Sequence, residues 1–208
     1  MISAPSSAAL PDFFKNVPRE TIEQLETYAA LLMRWQAKIN LVSASTLPNI
    51  WERHFADSAQ LFPLLKDKNG VLLDFGSGAG FPGMVLATLG CTNVHLVESD
   101  RKKCIFLREV ARSLGVAVEI HNERIENLQI PTVSTITSRG CASLNKLLAF
   151  SESFFQENTQ CLFPKGENYT KELEEAKNFW DAEFTLHPSS TNALVNIIEV
   201  QRLTRKTS

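Results

Sequence analysis

The sequence predicts an α/β fold: a mostly parallel sheet of seven strands with helices on both faces, preceded by a helical extension. Three observations carry this. Short runs rich in Val, Leu and Ile alternate at least four times with amphipathic stretches. A glycine-rich turn joins the first such run to the helix that follows it. Everything up to Lys68 has helical rather than strand spacing. Right-handed crossovers then fix the winding of the sheet.

In residues 20–40 the apolar positions Leu25, Tyr28, Leu32, Trp35 and Ile39 fall at intervals of 3, 4, 3 and 4, which is one buried stripe of a helix. A second helix is expected over 48–65, carrying Ile50, Trp51, Phe55, Leu61 and Leu65. Trp35 and Trp51 lie on these stripes and read as core rather than as platforms for bases. At Asn69-Gly70 the pattern changes, and VLLDF (71–75) has the composition of a buried parallel strand. Then follow a helix over 84–89, a strand at 94–98, a long helix over 100–114 and a strand at 116–120. Next come a short turn of helix at 123–128, a strand at 132–138, a helix over 144–155 and a strand at 161–164. A charged helix (169–180) and strands at 182–186 and 193–200 complete the chain. Residues 1–68 thus read as a helical extension and 69–208 as the sheet domain, together one compact unit.

A chain of 208 residues with 44% hydrophobic and 21% charged residues is an ordinary globular protein. No apolar run approaches the ~20 residues that span a bilayer, so no membrane association is expected. The first residues lack a basic stretch followed by an apolar core, so the cytoplasm is the expected compartment. Cys91, Cys104, Cys141 and Cys161 are too scattered for a zinc or redox pair, and no metal site is expected. His95, His121 and His187 read as isolated structural residues. The net charge of −2 argues against generic nucleic-acid affinity, yet positive charge gathers at Arg101, Lys102, Lys103, Arg108 and Arg112, and at Arg202, Arg205 and Lys206. KELEEAK (171–177) reads as a solvated helix face.

The sharpest feature is Asp74-Phe75-Gly76-Ser77-Gly78-Ala79-Gly80-Phe81-Pro82-Gly83, placed where the first strand meets its helix. Ligands of open α/β sheets bind there, against bare backbone and free N–H groups. Pro82 suits the first turn of a helix. Glu98 closes the second strand, 22 residues after Gly76, where a carboxylate can accept both ribose hydroxyls of an adenosine. The ligand is therefore of adenosine type. Gly78-x-Gly80-x-x-Gly83 matches the dinucleotide fingerprint, but the turn begins at Gly76, and in that register the sixth position is Phe81. A methyl donor and a dinucleotide both remain open on these residues alone, although a dehydrogenase needs a substrate domain for which the chain has little room.

DFGSGAGFPG, VESDRKKCIFLREVARSLG, NERIENL, TSRGCASL and FPKG, with the upstream LMRWQAKINLVSAS and ERHFADSAQL, together resemble the small-subunit rRNA guanine-N7 methyltransferases, formerly called glucose-inhibited division protein B. The likeness runs over residues 25–200. It implies a Rossmann-like class I S-adenosylmethionine-dependent methyltransferase acting on a guanine of a decoding-region loop in 16S rRNA, with S-adenosylhomocysteine as the product. The resemblance places the donor site on Gly76, Gly78, Phe81, Ile125, Glu126 and Arg139, with Glu98 as the ribose acid. Lys165 and Gly166 match the family's Lys-Gly after the fifth strand. Glu98 stands where members often have Asp, and Phe81 where many have Leu.

Guanine N7 carries an in-plane lone pair and no proton, so its methylation needs alignment and no general base. The chain offers no Ser-His-Asp or Cys-His arrangement at the turn. It also lacks the Asn/Asp-Pro-Pro-aromatic run of enzymes that methylate exocyclic amines, having Thr137-Ser138-Arg139-Gly140 instead. Arg139 is expected at the donor carboxylate or an RNA phosphate, as an electrostatic positioner together with Lys165. Candidate RNA contacts are Arg34, Lys38, Arg53, His54, Arg124 and the run Arg101-Lys102-Lys103 at the start of a crossover helix. The partner implied is 16S rRNA within the small ribosomal subunit or an assembly intermediate, with the chain acting as a monomer. The competing classes are a small-molecule methyltransferase or dinucleotide-dependent enzyme on the same fold, and an RNA-binding module without catalysis.

Overall fold

The computed structural model describes residues 11–130 and 132–207. Its sheet has seven strands: β1 (Leu72–Phe75), β2 (Val94–Val97), β3 (Val118–His121), β4 (Thr135–Ser138), β5 (Gln160–Lys165), β6 (Trp180–Pro188) and β7 (Asn196–Arg205). They lie in the order β3-β2-β1-β4-β5-β7-β6, with β1 to β5 parallel and the last pair antiparallel. The order reverses at β1, between β2 and β4, so the crevice for a ligand opens at the ends of these strands. β1, β4 and β5 are buried along their whole length, and the polar residues they carry, such as Asp74, Gln160 and Lys165, are hydrogen bonded there.

Alternate residues of β1 serve two different cores. Leu72 joins the layer formed with α1 (Arg19–Gln36), α3 (Gly83–Thr88) and α4 (Arg101–Leu114), through Leu25, Tyr28, Leu32, Met84, Phe106 and Leu107. Leu73 and Phe75 join the opposite layer with α5 (Leu144–Ser151) and α6 (Tyr169–Phe179), through Leu147, Leu148, Leu173 and Ala176. The helical extension therefore adds a third tier over one face only. α4 shows how local sequence sets an element: Asp100 caps it by accepting from the Lys102 and Lys103 N–H groups (2.7 and 3.2 Å), and Gly115 ends it in the left-handed region.

Most elements differ from expectation by a few residues at their ends, as in β4, α5 and β6, and three differences matter more. α1 stops at Gln36, whose side-chain oxygen accepts from Leu41 N and Val42 N (3.0 Å each) while its amide donates to Val42 O (2.9 Å). This side chain fixes a reversal that the apolar stripe continues straight through. The expected helix over 48–65 is instead a 3-10 turn (Ala44–Asn49), a π turn (Trp51–Ala56), α2 (Asp57–Ala59) and a second 3-10 turn (Phe62–Leu64). Pro48 and Pro63 supply no N–H for an α ladder, so regular α geometry cannot run through either of them. β7 runs on to Arg205, five residues past its expected end at Val200, because its ladder with β6 continues to the Trp180–Arg205 pair, which makes Arg202 and Arg205 strand residues. Arg202 pairs with Glu183 (2.7 Å), and Arg205 pairs with Glu152 (2.8 Å) while lying over the Trp180 ring.

Candidate active site

Two adjoining cavities open at the strand ends, of about 310 and 890 Å³, and both are lined by Gly140, Cys141 and Ala142. The smaller is built around the glycine turn. Gly76 and Gly78 have φ of +61° and +56°, a region closed to most side chains. A Cβ on Gly76 would lie 2.5 Å from Cys141 Sγ, whereas one on Gly78 would have only the Gly76 carbonyl nearby, at 3.7 Å. Below the turn, buried Asp74 accepts from Thr137 Oγ1 (3.0 Å) and Gly83 N (3.3 Å). Burial pushes its carboxyl up to about 6 despite these bonds. Tyr28 of the extension donates its hydroxyl to Ala79 O, which ties α1 to the turn.

Glu98 stands at the wall of this cavity, buried, with Oε2 accepting from Gly78 N (3.0 Å) and Oε1 from Asp100 N (2.7 Å). Two backbone N–H groups thus fix a carboxylate beside a bare turn. Ile125 and Glu126, in a 3-10 turn (Ile125–Asn127), also line this cavity, the first buried and the second exposed. Gly76, Gly78, Glu98, Ile125 and Glu126 are therefore brought together as the sequence predicts. The arrangement fits an adenosine-type ligand: the cavity is of small-molecule size, its acid is pre-placed, and its glycines keep side chains out.

Phe81 and Arg139 are placed elsewhere. Phe81 lines neither cavity; its ring stacks on Tyr28 (5.3 Å) and His54 (5.0 Å) and meets the edge of Phe55 (5.3 Å). Being apolar and next to the turn, it faced two possible environments, and the aromatic cluster of the extension takes it. Arg139 lines only the larger cavity. Its guanidinium lies over Phe81 (5.0 Å) and donates to Asp57 Oδ2 (3.0 Å), Arg53 O (3.0 Å) and His54 Nδ1 (2.7 Å).

An arginine only donates, so His54 Nδ1 accepts and Nε2 carries the proton towards Thr46 Oγ1 (2.7 Å), which in turn donates to Ser43 O (2.7 Å). Burial, together with the guanidinium groups of Arg139 and Arg53, pushes the His54 imidazole down to about 3. It is a neutral packing residue in the cleft wall. Lys165 closes β5 and is buried, donating to Ala142 O (2.7 Å) and pairing with Glu172 (2.8 Å), whose carboxylate also accepts from Leu144 N (2.6 Å). Asp57 also accepts from Thr191 Oγ1 (3.1 Å), and Gln60 Nε2 donates to Ser189 Oγ (3.1 Å), so α2 and the loop before β7 form one cleft wall.

Of the candidate RNA contacts, Arg53 and His54 line the larger cavity, and Lys103 and Arg124 the smaller. Arg34 is spent in an ion pair with Glu109 on α4, and Arg101 and Lys102 are exposed outside both cavities. Sequence reasoning missed Asp57, Glu172 and the 191–195 segment, which reach the cleft only through long-range contacts. Cys141, far from the other cysteines in sequence, sits on the wall between the cavities; partial desolvation there raises its pKa although the residue is exposed, so it stays a thiol. Its place in TSRGCASL, directly after a strand that borders the turn, was the available signal.

A family model described as rRNA small subunit methyltransferase G matches residues 21–198. The chain belongs to this family. A ribosomal RNA small subunit methyltransferase G of Rhodospirillum centenum is 47% identical over 187 residues, covering 88% of this chain and 87% of that protein. Its namesake in Rickettsia prowazekii is 39% identical, with 91% and 98% covered. Among solved structures, a SAM-dependent methyltransferase of Aquifex aeolicus superposes with a TM-score of 0.57 at 16% identity, covering 74% of this chain and 92% of that one. M. jannaschii TYW2 in complex with AdoMet gives 0.55 at 14% identity, covering 82% and 80%. Rossmann-like architecture and family membership agree. The chain is a methyltransferase of small-subunit rRNA, and the smaller cavity has the lining of an adenosine-type site.

Proposed function

We propose that this chain methylates N7 of a guanine in a decoding-region loop of 16S rRNA, within the small ribosomal subunit or its assembly intermediate. It acts as a monomer in the cytoplasm. Gly76, Gly78, Glu98, Ile125 and Glu126 hold the donor, with the Glu98 carboxylate at the ribose hydroxyls and the glycine turn at the amino-acid end. When bound, the donor supplies an electrophilic methyl carbon on its sulfonium. The guanine enters through the larger cavity and meets the donor across the Gly140–Ala142 wall.

The observation that carries the N7 reading is how the larger cavity's ionisable groups are engaged. Asp57 pairs with Arg139, Glu172 with Lys165, and His54 is neutral with both ring nitrogens hydrogen bonded. None of these groups is free to take a proton, which suits a nucleophile that has none to lose. The work left to the chain is alignment, and that is served by rigid walls. Arg139 and Lys165 act as positioning residues, each holding one wall: Arg139 gathers the extension against β4, and Lys165 joins β5 to α6 and the Ala142 carbonyl. Arg53, with its exposed side chain at the rim, and Arg124 beside the donor cavity supply phosphate contacts.

The test is methyl incorporation from labelled donor into purified small subunits, naked 16S rRNA and free nucleosides, followed by nucleoside analysis of the product. The expected result is 7-methylguanosine from rRNA, best in the assembled particle because a chain of net charge −2 binds naked RNA weakly. Label in an exocyclic amine or a ribose, or turnover of free nucleosides at equal rate, overturns the reading.

A further inference from the structure

β2 and β3 carry a cluster that the methyl-transfer chemistry does not use. Their register pairs His95 with Glu119 and Val97 with His121. Because strand side chains alternate, His95, Glu119 and His121 all point to one face, the face of Leu73, which is the register partner of His95 on β1. β3 is the outermost strand, so the cluster sits at the edge of the sheet. The two histidines, which sequence spacing leaves isolated, are stacked side by side with ring centroids 5.2 Å apart.

The distances match a coordination sphere. His95 Nδ1 lies 2.9 Å from His121 Nε2, and the Glu119 carboxylate oxygens lie 3.5 Å from His95 Nδ1 and 3.7 Å from His121 Nε2. In a tetrahedral site with ligands at ~2.0–2.1 Å, donor atoms stand roughly 3.3 Å apart. Each observed spacing is within about half an ångström of that value, so side-chain torsions alone close the site. Asn93 Oδ1 is 3.2 Å from His95 Nε2 and accepts its proton, leaving the Nδ1 lone pair directed at the cluster. A carbonyl-type acceptor behind a ligand imidazole is the usual outer-shell arrangement of metal sites. Two imidazoles with one carboxylate select a transition ion over Mg2+ or Ca2+, which prefer oxygen.

We propose that His95, Glu119 and His121 form a structural site for a divalent transition ion of the Zn2+ class, with water completing the shell. The ion pins the outermost strand to its neighbour, on the two strands that lead to Glu98. His121 O accepts from Glu98 N (3.0 Å), and the next residue, Asn122, donates its amide to Glu98 O and Ser99 O (3.1 Å each). Fastening β3 therefore fastens the main chain of the donor-cavity acid.

Isothermal titration of the tag-free, chelator-stripped full chain with Zn2+, and separately with Mg2+, tests this. One Zn2+ per chain is expected, with no Mg2+ binding in the same range and a rise of Tm in Zn2+. His95→Gln and His121→Gln should each weaken Zn2+ binding at least about tenfold and abolish the Tm rise. Their Tm without metal, compared with wild type, reports whether they fold. Cys141→Ser, which removes the one exposed thiol among the described residues, should leave the affinity unchanged. The proposal fails if stoichiometric binding is absent, if both histidine variants bind as wild type, or if Cys141→Ser is the variant that loses the ion.

Discussion

The two cavities of this methyltransferase are neighbours built on opposite principles. The smaller cavity is organised by backbone: a glycine turn and the N–H groups of Gly78 and Asp100 fix the one carboxylate, Glu98, in its wall. The larger cavity is walled by side chains from distant parts of the chain: Asp57 holds Arg139 and Thr191, the latter across 134 positions, and Lys165 pairs with Glu172 on the other side of the Gly140–Ala142 segment. The difference teaches where each half of the activity resides. Under the function proposed above, a cofactor is held largely by main-chain geometry, whereas the identity of the acceptor is entrusted to walls clamped by ion pairs.

The contrast can be broken by single changes. Arg139→Ala should cost the most, lowering methyl transfer to small subunits by about 100- to 1,000-fold, because three hydrogen bonds that gather the cleft wall disappear together. In the same variant the affinity for S-adenosylhomocysteine, measured calorimetrically, should stay within about threefold of wild type. A parallel loss of donor binding would mean that the two cavities are one unit. Glu98→Ala should do the reverse, weakening S-adenosylhomocysteine by about 100-fold through loss of its charged acceptor while leaving the cleft intact.

A pH measurement sharpens the comparison further. His54 is pushed down to about 3 in the folded chain from an ordinary 6.5. Its contribution to stability is therefore present above pH 6.5 and lost as pH falls towards 3, about 2 kcal/mol being gone near pH 5. Denaturant unfolding near neutrality and near pH 5 should show a smaller acid loss in His54→Gln than in wild type. Buried Asp74, raised to about 6, works in the opposite direction: it favours the folded state below its ordinary value of 3.8 and loses that advantage as pH rises through 6. The variant therefore reports His54 against a common background. The smallest effect is expected at Arg34→Ala, which removes a half-exposed ion pair outside both cavities: about 0.5 kcal/mol or less in stability, and unchanged turnover.

How much was legible follows the same division. That five residues line the smaller cavity together could be read because they lie close in sequence or at a fixed spacing: Gly76 and Gly78 in one turn, Glu98 at the end of the next strand, Ile125 and Glu126 after the one beyond. The direction of Phe81 could not be read, since either an adenine or the Tyr28–His54 cluster would bury an apolar ring. Arg139 is expected at the donor carboxylate or an RNA phosphate, yet its guanidinium is held by Asp57 and His54 outside the smaller cavity. Those partners were invisible because they lie in a segment whose prolines break the regular helix that the apolar spacing suggested. The outer histidines were misjudged for a similar reason: His95 and His121 are distant in sequence, and only the β2–β3 register makes them neighbours.

The hydroxyl of Tyr28 reaching the Ala79 carbonyl has one more implication, for protein engineering. Residues ahead of the sheet are often regarded as a detachable cassette that can be exchanged to retarget a catalytic module. Here the leader supplies a strut to the loop that seats the cofactor, so a chimera carrying a foreign leader would inherit a loosened hinge along with its new specificity.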